Sequence, residues 1–198
     1  ADLGESKRLV EEDAFTSDAV KANQMAQIEI MEVFAWSVLL NTFGNVPYSE
    51  ALNPENSLPA YDDASTVYGE ILTRLDAALN RINPDEIGFD EGDIIYEGDM
   101  ELWWKFGNTL KLKLGMVIAD VNSSLAQNVV EAAAPNVFMD NSDNGAFPYL
   151  NAPPNNNPVS EEMNPLFTSR QDYVVANTLV DAMNELNDPR RAFYFTQV

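Results

Sequence analysis

The sequence predicts an all-α protein whose helices are joined by long irregular loops. Three observations carry this. Five stretches place apolar residues three or four apart, as one face of a helix requires, and most carry a start or stop signal. No alternating five-residue pattern marks a half-buried strand. Pro, Gly and Asn gather between the periodic stretches.

The elements follow in order. Glu5 to Ala14 is charged and only weakly periodic as a helix. Residues 17–41 carry Val20, Met25, Ile28, Met31, Phe34, Val38 and Leu39, and are apolar enough around Trp36 to predict burial on more than one side. Residues 63–82 open on Asp62 and Asp63, hold Val67, Ile71, Leu75, Ala78 and Ile82 in register, and close at Asn83-Pro84, which disfavours continuation. Residues 99–120 start at the N-cap residue Asp99 and carry the stripe Trp103, Phe106, Leu110, Leu114 and Val117. Adjacent helical residues sit about 100° apart, so Trp103 is expected in the core and Trp104 at an exposed or interface position. Residues 123–134 end at Pro135. Residues 169–187 begin at Ser169-Arg170-Gln171-Asp172, which resembles a capping box, and end before Pro189. The connecting loops are 43–61, 84–98 and 135–168. The last holds eight Asn and six Pro between residues 135 and 165, and a connection of that length in a compact domain is usually functional or disordered. The length, 198 residues, suits one domain over 1–198.

Charge and missing residue types narrow the chemistry. Against 32 Asp+Glu stand 11 Lys+Arg, a formal net charge of −21, so phosphate-rich partners such as nucleic acid and anionic membrane surfaces are disfavoured. His and Cys are both absent, which removes imidazole proton shuttles, thiolate nucleophiles, disulfides and His- or Cys-ligated metals. Carboxylate chemistry and hard-cation binding remain. No apolar run reaches the length of a membrane span, and the chain opens on Ala1 without a charged segment followed by an apolar one.

The densest acidic run is Asp85, Glu86, Asp90, Glu91, Asp93, Glu97, Asp99 and Glu101, and such runs are usually solvated faces. Asp140-Asn141-Ser142-Asp143-Asn144-Gly145 opens like a calcium loop, but Asn151 holds the place of the bidentate Glu, so an Asx-rich turn is the better reading and no cofactor is expected. Aromatic planes beside amides suit sugars. The loops supply Tyr48 and Tyr61 in the first, Tyr96 in the second, and Tyr149 near Asn155, Asn156 and Asn157 in the third, and these are the candidate ligand residues.

Several blocks together carry a resemblance. Phe43-Gly44-Asn45-Val46-Pro47-Tyr48-Ser49-Glu50 comes first, then Pro59-Ala60-Tyr61-Asp62 and Val67-Tyr68-Gly69-Glu70. Asp93-Ile94-Ile95-Tyr96-Glu97-Gly98-Asp99 follows, with Trp104-Lys105-Phe106-Gly107-Asn108 after it and Asn187-Asp188-Pro189-Arg190 last. In this order they resemble the SusD/RagB family of Bacteroidetes outer-membrane lipoproteins. Asn45 stands where that family often has Asp and Gly107 where it often has Ala, and family members are far longer.

The resemblance implies a non-catalytic surface lipoprotein, built on helix pairs that resemble tetratricopeptide repeats, that binds an oligosaccharide or polysaccharide and passes it to a TonB-dependent transporter of the SusC type. It implies an outer-membrane, cell-surface location through a lipid anchor outside this chain. A helical protein-interaction scaffold, docking a partner through its helix pairs and Trp104, is the alternative from another class. A carboxylate glycosidase is a distant third, since it needs two facing carboxyl groups, one of raised pKa.

Overall fold

The computed structural model describes residues 2–164, 168–169 and 174–195. Eight α-helices are present among them: α1 (Asp2–Glu12), α2 (Asp18–Phe43), α3 (Ala64–Leu79), α4 (Met100–Val117), α5 (Ser123–Ala133), α6 (Pro158–Met163), α7 (Asn177–Glu185) and α8 (Arg191–Tyr194). No strand occurs among the described residues, and the all-α expectation holds.

Helix starts sit where short polar side chains can accept orphan backbone N–H groups. Ser17 accepts from Val20, Asp63 from Thr66, Asp99 from Glu101 and Leu102, and Asn122 from Leu125. The weakly periodic first segment is a full helix, α1, held by its packing on α2. Helix α6 lies inside the predicted third loop. Its signal is Asn157-Pro158, an N-cap followed by a proline at the first helical position. The predicted 169–187 helix is observed from Asn177, and most of its expected capping box, Arg170 to Asp172, lies outside the described residues.

The chain gathers into two compact units, 1–147 and 148–198. In the first unit α2 packs on α3, α4 packs on α5, and α1 lies on α2. Their shared core includes Ile30, Val33, Ile71, Leu75, Trp103 and Leu114. A Cβ at Gly107 of α4 would sit 2.7 Å from Leu79 Cδ2 and 3.2 Å from Ile30 Cδ1, so a bare backbone suits the closeness of α4 to its neighbours here. Trp36 is half-buried and meets Tyr48 edge to face at 4.8 Å, so it is a rim residue. Trp104, expected at an exposed or interface position, is half-buried against the core margin.

An ionic cluster ties three helices together. Lys7 of α1 and Arg74 of α3 both pair with Glu29 and Glu32 of α2, and Arg74 also donates to the Tyr48 hydroxyl at 3.0 Å. All four charged side chains are about three-quarters buried or more, so each compensates a desolvated partner. Burial alone would raise the Glu29 carboxyl, but hydrogen bonds from Arg74 and Lys7 outweigh it and hold the pKa below the ordinary 4.5.

The second unit is built on local turns. Leu150 N donates to Asn155 O at 2.8 Å and the pair Leu150–Asn156 forms a single bridge, closing the 150–156 segment. After α7 the chain turns at Asn187 with φ 49°, and Asp188 accepts from the backbone and side chain of Arg190, which lowers its pKa to about 2. The Asp-Pro-Arg element is therefore a helix-stop and turn device.

Replacing Arg74 by Met leaves Glu29 and Glu32 with Lys7 alone. Stability at pH 7 should fall by about 2 kcal/mol, between an exposed and a fully buried ion pair, measured by urea unfolding. A carboxyl of depressed pKa contributes stability above its unfolded value, lost as pH falls through the folded value. The gap between wild type and Arg74→Met should thus stay level from pH 7 to 4.5 and close below it.

Candidate functional site

The acidic loop 83–98 has no repeating backbone pattern, and buried side chains of α2 hold it instead. Asn23 is fully buried; its Nδ2 donates to the carbonyls of Asn83 and Glu86 at 2.9 and 2.8 Å, while its Oδ1 accepts from Asn83 N. One turn on, Gln27 Oε1 accepts from Phe89 N at 2.7 Å and Nε2 donates to Asp93 at 3.0 Å. The buried Asp93 carboxylate also accepts from the backbone N–H groups of Ile95, Tyr96 and Gly98 and from Trp103 Nε1 at 2.6 Å. Five donors converge on one carboxylate. Gly98 adopts φ 85°, and a Cβ there would lie 2.7 Å from Phe89 O, so this position requires glycine. Asp93 therefore organises backbone and is not open to a ligand.

A cavity of about 380 Å³ lies beside this network, bounded by Leu3, Ile28, Met31, Phe89 and Trp103. Its main polar groups, Gln27 and Asp93, are already engaged with each other.

Tyr96, a predicted ligand residue, is buried. Its ring meets Trp103 edge to face at 5.5 Å and its hydroxyl donates to Asp143 O at 2.8 Å. Burial and the nearby Asp143 and Asp93 charges push its pKa up to about 12. Its alternation with Asp93 in a loop hid this inward orientation. Asp143 is also buried; it accepts from Met139 N at 2.7 Å and Lys105 Nζ at 3.0 Å, and these bonds lower its pKa. Asp140 accepts from Ser142. The calcium-like segment is thus a short turn whose carboxylates serve their own backbone and Lys105. No group of three or more acids is placed to share a metal ion among the described residues.

The first loop is a clamped unit. Asp62 accepts from Tyr48 N and Ser49 N at 2.8 and 2.9 Å, which lowers its pKa, and Asp62 N donates to Val46 O. Asn45 Oδ1 accepts from Ala64 N, a role an Asp would fill equally. Inside the loop, Glu50 accepts from Asn56 and Ala60 N. This brings the chain near Tyr48 against the chain next to Tyr61. Tyr48 is locked by Trp36 and Arg74, whereas Tyr61 is 73% exposed, beside Leu58 at 88%. Sequence reasoning passed over Leu52 and Leu58, also exposed in this loop, because isolated leucines carry no binding signal.

In the second unit Tyr149 is about half exposed and Asn155 is exposed. Asn156 is buried, with no hydrogen-bond partner at either amide atom among the described residues, and Asn157 caps α6 through Val159 N at 2.9 Å. Of the predicted residues, Tyr61, Tyr149 and Asn155 present themselves to solvent, while Tyr48 packs against Trp36, Asn156 is buried and Asn157 caps a helix.

Fold and surface define a helix-pair scaffold that offers aromatic and amide groups from its loops and engages its buried acids structurally. The chain belongs to the SusD-like family, described as starch-binding associating with outer membrane, which matches residues 1–198. Among solved structures, a SusD homolog from Bacteroides thetaiotaomicron is similar at 25% identity and TM-score 0.75, over 99% of this chain and 38% of that one. A chitin-binding SusD homolog from Flavobacterium johnsoniae is similar at 26% and 0.72, over 96% and 40%. One from Bacteroides uniformis is similar at 28% and 0.63, over 72% and 29%. The chain thus spans well under half the length of these relatives. Among curated proteins none matches. No described helix is long and apolar enough to cross a membrane.

Replacing Asp93 by Ala removes the shared acceptor of five donors, and unfolding free energy should drop by about 3 kcal/mol or more. Gly98→Ala should cost about 1–3 kcal/mol from its positive φ and the Phe89 contact. Both are checked by denaturant titration.

Proposed function

We propose that this chain is the helical part of a glycan-capturing surface lipoprotein, one SusD-like domain of a longer protein. Such a protein holds oligosaccharides at the cell surface and delivers them to a SusC-like TonB-dependent transporter. The observation that carries this reading is the family match across every residue, together with the likeness to a chitin-binding homolog. The location follows from the family's association with the outer membrane, and the anchor would be a lipid attached outside residues 1–198.

The chemistry of the surface is compatible with a neutral ligand. Sugars present C–H faces to aromatic rings and hydroxyls to amides, and both groups stand at the loop positions of Tyr61, Tyr149 and Asn155. A field of −21 charges disfavours anionic saccharides. Two engaged acids support binding without hydrolysis as the reading: Asp93 is enclosed by donors and Asp99 caps α4.

The test uses the full-length protein with starch and chitin oligosaccharides in calorimetry. Tyr61→Ala or Tyr149→Ala should weaken the better ligand by about three- to tenfold with the thermal midpoint kept, as loss of one exposed stacking ring predicts. Trp103→Ala, removing a core ring, should instead cost about 3–5 kcal/mol of stability. Unchanged affinity in both tyrosine variants would place the site elsewhere, and enzyme-dependent release of new reducing ends would overturn the binding-only reading.

A further inference from the structure

Helix α2 carries apolar side chains on more than one side, yet only part of that apolar surface is covered. Its N-terminal half has Ile28 buried and Met31 half-buried, beside Leu3 and Ser6 of α1, and α1 is tied there through Lys7. The same side of the helix continues beyond α1 as Phe34, Ala35, Val38, Leu39, Thr42 and Phe43, and all six are exposed. Phe43 is 70% exposed and Val38 46%. Residues 33–49 contain no Asp, Glu, Lys or Arg, in a chain where such residues make up 22%. Phe34 meets Phe106 at 6.3 Å, and Phe106 meets Trp103 at 5.6 Å, so the bare stripe is continuous with the core. Contiguous apolar surface of this kind marks a place where something packs.

We propose that this stripe is an intramolecular seat for the part of the full-length protein outside residues 1–198. Family relatives that align with 95% or more of this chain are aligned over only 36–40% of their own length, which leaves ample chain to cover it. A second copy is the poorer occupant, because each copy brings a net charge of −21 to an interface with no cation in the stripe. The inference rests on the fold and the family, and is independent of what the protein binds.

Hydroxyl-radical footprinting of the full-length wild-type protein reads side-chain access without mutation. At a concentration where light scattering gives a monomer, Phe34 and Phe43 should be modified about tenfold more slowly than the same peptides after denaturation, since access requires local opening. As a second reading, single cysteines at Val38→Cys and Phe43→Cys should react with a maleimide at least about tenfold more slowly than Ala77→Cys on the exposed side of α3. Rates for Phe34 and Phe43 near their denatured values, in the monomer, overturn the proposal. Protection that grows with concentration alongside dimerisation assigns the stripe to a second copy, and protection seen only on adding purified outer membranes assigns it to a membrane partner. Either result overturns the proposal.

Discussion

The first unit depends on a line of buried polar groups that does for an irregular loop what a hydrogen-bond ladder does for a strand. Asn23 and Gln27 stand one turn apart on α2 and meet the backbone of residues 83–93; Asp93 then gathers three further backbone donors and the Trp103 indole. A loop rich in Gly and acids would otherwise carry unpaired backbone groups over an apolar core, at several kcal/mol for the set. Every atom of this line is engaged, which separates a rigid polar network from a destabilising one. The placement of Tyr96, the start of α4 and the wall of the neighbouring cavity all follow from it.

One of the blocks that carry the family resemblance, residues 93–99, is in physical terms this same device. Asp93 accepts, Tyr96 packs against Trp103, Gly98 supplies a backbone geometry other residues resist, and Asp99 caps the helix. Helix positions were legible because periodicity and caps are local: Asp63, Asp99 and Asn122 stand at the observed starts. What lay beyond the sequence was side-chain direction in loops. Tyr61 and Tyr96 are equally plausible surface rings on paper, yet one has Asp62 drawing the chain into a turn at the surface and the other has Asp93 turning it inward. Helix α6 escaped notice for a different reason, since six residues offer too few turns for a periodic stripe.

The charge imbalance is handled unevenly. Lys7, Arg74, Lys105 and Lys111 each pair with acids in the first unit, joining α1 to α2, α2 to α3, α4 to the 140–143 turn and α3 to α4. With 32 acids and 11 bases, most carboxylates have no cation to meet. Four of the eleven positive charges thus sit where segments must be held in register, and the excess acids are left to water, where like charges repel least.

The Asp62 clamp has a consequence for how such a protein changes over time. Both feet of the 45–63 segment are fixed by side chain to backbone bonds from Asp62 and Asn45. Closing a longer loop on fixed ends costs only about 0.6 kcal/mol per doubling of length. The apex between Leu52 and Leu58 can therefore be exchanged, lengthened or trimmed with little consequence for α2 and α3, so one exposed stretch of surface is free to vary on an unchanged frame.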